Sequence, residues 1–464
     1  MNHIMRQIAA LVSIILIMVV LSGCGLLNSE NASMNMKADE MKTKFANNKL
    51  NVAVFDNGNG SKEKYWRTII QKFETEYPGV QINLQANPRI IDMITPQIIA
   101  GSPPDLIVSP PNEGTGIIEE MMKDKMLLDL TDLFEGKALD TDKPLKDILL
   151  DGILKYAKPL GDGKIYSAPF TTSAMGLIYN KDLFERKGWK PPKTWNEFMA
   201  LGEAAKNEGR FLFTYPGVNP GYNESIFWSS VASAGGMDAI HRAENYEKGA
   251  FKSSAVQKTM EIFSIIAQKG YLLPGSVNMN HMQSQSALLQ GKALFIPTGT
   301  WIEDEMKDAA RESGFQFGFL APPVFKEGDQ QYAEHWQDNM YIPAKAKNTE
   351  LAKELIRYQY TDDSVKLNAK LTKNVTAVKN GAELAKPYIS PVFYDAAKIY
   401  DNGIKPLLFH WKLTPSSTAL INNELWRPIG SIMNKLMSVS QWQNSVEAAT
   451  AKIRADLEER GKTN

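Results

Sequence analysis

Cysteine is almost absent: the 464 residues contain one, Cys24. A single thiol forms no internal disulfide, so the fold must be held by packed cores. Charge of one sign is lacking too. Lys and Arg together number 52, and Asp and Glu number 52. That balance excludes the basic surplus of a nucleic-acid-binding surface and the polybasic run that attaches a chain to anionic lipid. Histidine is scarce, and its five positions (3, 241, 281, 335 and 410) are too scattered to suggest a zinc site. No Gly-x-Ser-x-Gly and no His-Glu-x-x-His occurs, so two common hydrolase signatures are missing. After Cys24 no apolar run is long enough to cross a membrane.

What is present begins at the N-terminus. Arg6 precedes an apolar run, 8–21, in which Ser13 is the only polar side chain. A positive start, an apolar stretch and small residues before a cut are the parts of an export signal. The run is too short for a spanning helix. Leu21-Ser22-Gly23-Cys24 resembles the lipobox of bacterial lipoproteins. The resemblance implies removal of residues 1–23, a lipid on the Cys24 thiol and attachment to the outer face of the cell membrane. Residues 24–48, rich in Asn, Ser, Met and Lys, read as a flexible tether.

The remainder is too long for one hydrophobic core, so two domains are expected. Leu50, Val52 and Val54 alternate as in a strand, and turn residues follow from Asp56 to Gly60. Trp66, Ile69, Ile70 and Phe73 then take helical spacing, Tyr77-Pro78-Gly79 stops that helix, and Val80, Ile82 and Leu84 alternate again. This β-loop-α-β unit predicts a parallel sheet. Residues 90–99 read as an apolar helix that Pro96 could kink, and 106–108 as a short buried strand. Later helices are expected over 349–360, over 416–437 with a break at Pro428, and over 442–457, with 458–464 frayed. Thr194 and Glu197 form the pattern of a capping box.

Several segments line up in order with one family. They are Phe73-Glu74-Thr75-Glu76-Tyr77-Pro78-Gly79-Val80, Gly101-Ser102-Pro103-Pro104-Asp105-Leu106, Leu128-Asp129-Leu130-Thr131-Asp132 and Gly163-Lys164-Ile165-Tyr166-Ser167-Ala168-Pro169. Ile178-Tyr179-Asn180-Lys181-Asp182-Leu183-Phe184, Pro191-Pro192-Lys193-Thr194-Trp195-Asn196-Glu197-Phe198 and Gly291-Lys292-Ala293 leading to Gly299-Thr300-Trp301 continue the series. Together they resemble the family 1 extracellular solute-binding proteins of bacterial carbohydrate ABC importers, the maltose-binding-protein-like group. The resemblance implies an α/β, two-lobed periplasmic-binding-protein-like fold of type II. Each lobe would be a mainly parallel sheet flanked by helices, joined to the other by a hinge. Lobe one would take 49–170 and 336–394, and lobe two 171–335 and 395–457, with crossings near Pro169, His335 and Tyr394. It implies a monomeric receptor with no catalysis, cofactor or metal, which hands a sugar or oligosaccharide to ABC permease subunits.

Sugars pack C–H faces on aromatic rings and need polar partners for buried hydroxyls. Trp301, at a strand end, is the leading platform. Tyr222 and Trp228 offer a second, and Glu334-His335-Trp336 is an unusual aromatic and titratable cluster at a presumed crossing, with His335 and Trp336 as candidate contacts. Asp56 and Asn57 on the first loop, Asn112 and Glu113 after the 106–108 strand, Thr172 and Ser173 after the first crossing, and Trp426 and Arg427 near the end complete the set. For several of these, turn chemistry, helix capping or core packing is an equally simple role. Two other functions stay open: the same scaffold holding a non-sugar solute, and a secreted glycosidase using two carboxylates.

Overall fold

The computed structural model describes residues 45, 47–56, 58, 60–110, 117–409, 411 and 421–461. The leader, Cys24, most of the 24–48 tether, Asn57, Asn112 and Glu113 lie outside the described residues.

Among the described residues ten strands form one mixed sheet: β1 (Lys49–Phe55), β2 (Gln81–Asn87), β3 (Leu106–Ser109), β4 (Ala168–Asn180), β5 (Phe211–Phe213), β6 (Ala293–Gly299), β7 (Phe317–Leu320), β8 (Tyr332–Tyr341), β9 (Val375–Thr376) and β10 (Lys405–Leu407). The order is β2-β1-β3-β8-β4-β6-β5, with β10 on β8 and β7 and β9 on β4. β1 pairs in parallel with β2 along its whole length and with β3 on its other side, as the alternation predicts. The intervening helix, Ser61–Glu76, buries Trp66, Ile69, Ile70 and Phe73. Asp105 fastens this corner. Its carboxylate accepts from the backbone N–H groups of Asn51 (2.8 Å), Lys347 (2.8 Å) and Asn348 (3.1 Å).

β4 and β8 are the long strands, and they join the two ends of the sheet. They run antiparallel from Ala168 opposite Met340 to Met175 opposite Glu334. β4 then continues into pairing with β6 and β7, while the far end of β8 pairs with β3. Separate cores sit on either side of this junction. Val52, Trp66, Phe73, Leu106, Phe134 and Leu355 pack at the β1–β3 end. Phe213, Phe227, Trp228, Phe295 and Trp442 pack at the β5–β6 end.

Local signals behave as their chemistry dictates. Asn180 ends β4 and caps the helix Lys181–Lys187, accepting from Leu183 N at 3.3 Å. Thr194 and Glu197 exchange both bonds of the capping box. Pro428 separates the helices Ile421–Trp426 and Ile429–Met433. Pro96, by contrast, is carried inside the helix Ile90–Ile99, since its missing N–H removes only one intrahelical bond. The last helix runs Val439–Gly461, past Leu457, anchored by buried Trp442, Val446 and Ile453. Among the described residues no helix is long and apolar enough to cross a membrane.

Candidate functional site

Successive side chains on a strand point to opposite faces. On β8 this sends Glu334, Trp336 and Asp338 into a cavity of about 810 Å³. Their cross-strand partners on β4, Met175, Ser173 and Thr171, line the same face; Thr172 also borders the cavity, but its hydroxyl is turned to His335 on the other side of the sheet. Lys62 reaches the cavity from the start of the helix Ser61–Glu76. The opposite wall comes from the 219–222 turn, Glu224, Trp301, Glu305, Asn423, Trp426 and Arg427. The cavity therefore lies against the β4–β8 junction, with groups from both ends of the sheet around it.

Its aromatic surface has a definite construction. Trp301 follows β6 and opens the short helix Ile302–Glu305. Its indole rests on Gly299: a side-chain carbon there would stand 2.1 Å from the ring. Tyr222 meets Trp301 edge-on, with ring centroids 6.5 Å apart and planes at 65°. Trp336 is 43% exposed, uncommon for an indole on a central strand. Trp426 is mostly buried, held edge-on by Phe227 at 5.5 Å, and still reaches the lining.

The polar lining is acidic on balance. Lys62 Nζ is 2.7 Å from Asp338 Oδ2, which also accepts from Thr171 Oγ1 at 3.1 Å. Glu305 accepts from Gln285 Nε2 at 2.8 Å. Burial pushes the Tyr222 phenol up, with the Glu305 charge adding to it. Glu224 accepts from Trp228 Nε1 at 3.1 Å. Burial pushes the Glu224 carboxyl up to about 7. Burial, and then the charge of Glu224, hold Glu334 well above the usual carboxylate range. Two neighbouring acids with this little solvation cannot both ionise readily near neutral pH.

Of the residues nominated from sequence, the structure brings Thr172, Ser173, Tyr222, Trp301, Trp336, Trp426 and Arg427 together around the cavity. Three others sit elsewhere. Asp56 accepts from the backbone N–H groups of Gly58 (2.8 Å), Gly60 (3.1 Å) and Glu63 (2.9 Å), which is loop and helix-start chemistry. Burial pulls its pKa up, but those N–H donors and Lys62 outweigh this and hold it low. Trp228 is a core residue, stacked on Phe409 with centroids 3.6 Å apart. His335 lies on the far face of β8, fully buried, between Thr172 Oγ1 (2.9 Å from Nδ1) and Gln337 Oε1 (3.0 Å from Nε2). Burial pushes it down to about 4, so it is neutral at physiological pH.

Sequence reasoning passed over Lys62, Glu305 and Asp338, did not nominate Glu224, and named Glu334 only as a member of its cluster. For Glu334 the signal was available: once Trp336 is placed in the cleft, a strand's alternation puts residue 334 beside it and 335 behind. Glu224 and Trp228 are one helical turn apart on a helix whose start is hidden in a Gly- and Pro-rich turn. Among the described residues no cluster of His, Cys, Asp and Glu is placed to hold a metal ion.

A family profile described as bacterial extracellular solute-binding protein matches residues 57–366. A diacetylchitobiose-binding protein of Streptomyces coelicolor is 27% identical over 361 residues, spanning 77% of this chain and 75% of its own. A multiple sugar-binding protein of Streptococcus mutans is 24% identical over 332 residues, spanning 70% and 75%. The solved apo form of RafE from Streptococcus pneumoniae superposes with a TM-score of 0.69 at 19% identity, covering 86% of this chain and 97% of that one. That likeness shows the fold to be the two-lobed, type II α/β arrangement that the motifs imply.

Proposed function

Because the chain belongs to the bacterial extracellular solute-binding protein family, we propose that it captures a sugar or oligosaccharide between its lobes and delivers it to the permease of an ABC importer. One observation carries the sugar reading: Trp301, Tyr222 and Trp336 line a cavity whose remaining lining is rich in hydroxyl, amide and carboxyl groups. Ring faces suit the C–H surfaces of a pyranose, and the polar groups suit its hydroxyls. Glu224, Glu305, Glu334 and Asp338 outnumber Lys62 and Arg427 in the lining, and Lys62 is engaged by Asp338, so the cavity is poorly suited to an anionic solute.

In this reading the lobes divide at 49–170 with 336–394 and at 171–335 with 395–457, and they close over the sugar about the β4–β8 junction. The chain is a monomer held at the outer face of the cell membrane by a lipid on Cys24. Binding and release are the whole of its chemistry, so no catalytic residue is assigned. A thermal-shift screen against mono- and oligosaccharides, with diacetylchitobiose and raffinose among them, tests the proposal. A ligand at 100 times its dissociation constant stabilises by about 2.7 kcal/mol. A flat response across the panel, or cleavage products in the recovered sugar, would overturn it.

A further inference from the structure

We propose that Glu224 and Glu334 form a proton-holding acceptor pair in the wall of the cleft, on which a saccharide seats hydroxyl hydrogens, expelling a proton to water as it binds. This rests on the sugar-binding reading and deepens it.

Glu334 is 9% exposed and lines the cavity, yet its Oε2 has no hydrogen-bond partner among the described residues. Leaving a buried polar atom unsatisfied costs about 1–3 kcal/mol, and more for a charged one. Asp105, also buried at 2% exposure, accepts from three backbone donors. The contrast points to a donor that arrives from outside. Glu224 faces the same cavity from the first turn of the helix Glu224–Glu244, and one of its oxygens already holds the Trp228 indole.

No cation is paired with either acid among the described ion pairs. Lys62 is taken by Asp338 at 2.7 Å, and Arg427 is exposed where it borders the cavity. The cross-strand neighbours of Glu334, Met175 on β4 and Leu407 on β10, are apolar. The other titratable groups nearby are Tyr222 and Glu305 across the cavity and Tyr400 from the 399–402 turn, while His335 faces the opposite side of β8. The surroundings therefore oppose ionisation of the pair and keep a proton on it near neutral pH. Hydroxyl donors reverse that balance by stabilising the carboxylate form. Saccharide affinity must then rise with pH through the range in which the free pair titrates.

Isothermal titration of the protein with diacetylchitobiose, raffinose and a galactooligosaccharide, at pH 6, 7 and 8 in phosphate and in Tris, tests this. For a saccharide that binds, the difference between buffers should report release approaching one proton. The association constant should rise by up to about tenfold per pH unit. Glu334→Gln should bind more weakly, release no proton and show a flat pH profile, and Glu224→Gln should do the same if the first variant fails to fold. Binding with equal heats in both buffers and an affinity constant from pH 6 to 8 would overturn the acceptor pair and leave the sugar receptor standing. No binding of any saccharide would remove both.

Discussion

The indole of Trp301 lies against Gly299, filling the space a side chain would take: a Cβ on that glycine would stand 2.1 Å from the ring. The glycine is what allows the ring to lie where it does at the end of β6. Gly299→Ala should rotate the indole out of its seat and weaken saccharide binding about as much as Trp301→Ala. Loss of one aromatic platform corresponds to about 1–3 kcal/mol, or roughly 10- to 100-fold in affinity. Trp301 is half-buried at a strand end, so Trp301→Ala should change the unliganded melting temperature little. Calorimetric titration of both variants beside the parent checks this. Unchanged affinity in Trp301→Ala would remove that ring from the site.

Stability should respond to pH with two opposing contributions. Glu224, raised from 4.5 to about 7, and Glu334, held well above 4.5, bind protons in the folded state that the unfolded chain has already lost. Their stabilising contribution is complete below pH 4.5 and falls away as pH rises above it, that of Glu224 through about 7. His335, lowered from 6.5 to about 4, acts the other way: its contribution is present above 6.5 and lost as pH falls through about 4. Melting curves from pH 4 to 8 should show Glu334→Gln declining less as pH rises above 4.5, and His335→Gln declining less as pH falls below 6.5. Each effect should be on the order of 1–3 kcal/mol. Parallel profiles for all three proteins would contradict the assignment.

Lys62 and Asp338 pair at 2.7 Å with both side chains largely buried. They are far apart in sequence, one at the start of the helix Ser61–Glu76 and the other on β8. Lys62→Met leaves the carboxylate with the Thr171 hydroxyl as its remaining partner. The expected loss is about 2 kcal/mol of stability, read from urea unfolding. Lys62→Met with Asp338→Asn should recover part of that loss, because the stranded charge is gone.

The proposed lipid attachment at Cys24 predicts a fractionation result. Cys24→Ala should move the protein from the membrane fraction to the medium or periplasm and remove the mass of the lipid from its N-terminus. Retention of the variant on the membrane would contradict lipid attachment at Cys24.

Much of the scaffold was legible because its signals are local. Alternation at Leu50, Val52 and Val54, the stop at Tyr77-Pro78-Gly79, the capping box at Thr194 and the break at Pro428 depend on neighbours within a few residues. The site was legible only as places. The 222–228 and 334–336 segments both contribute to the cavity, but Glu224 and Glu334 face it while Trp228 and His335 turn to the cores. Which member of a cluster faces inward is a matter of phase, fixed by pairing β8 to β4 in one register and by where a helix begins. Neither is written in composition. The Lys62–Asp338 contact lay further out of reach, because only the assembled sheet brings those residues together.

The proposed activity is reversible capture of a sugar that leaves it intact. Equilibrium dialysis against diacetylchitobiose, raffinose and a galactooligosaccharide, with mass spectrometry of the sugar recovered from the protein side, tests it most directly. The account predicts saturable uptake of one molecule per chain by at least one of them, recovered intact and displaceable. No uptake of any, or recovery as cleaved fragments, would contradict it.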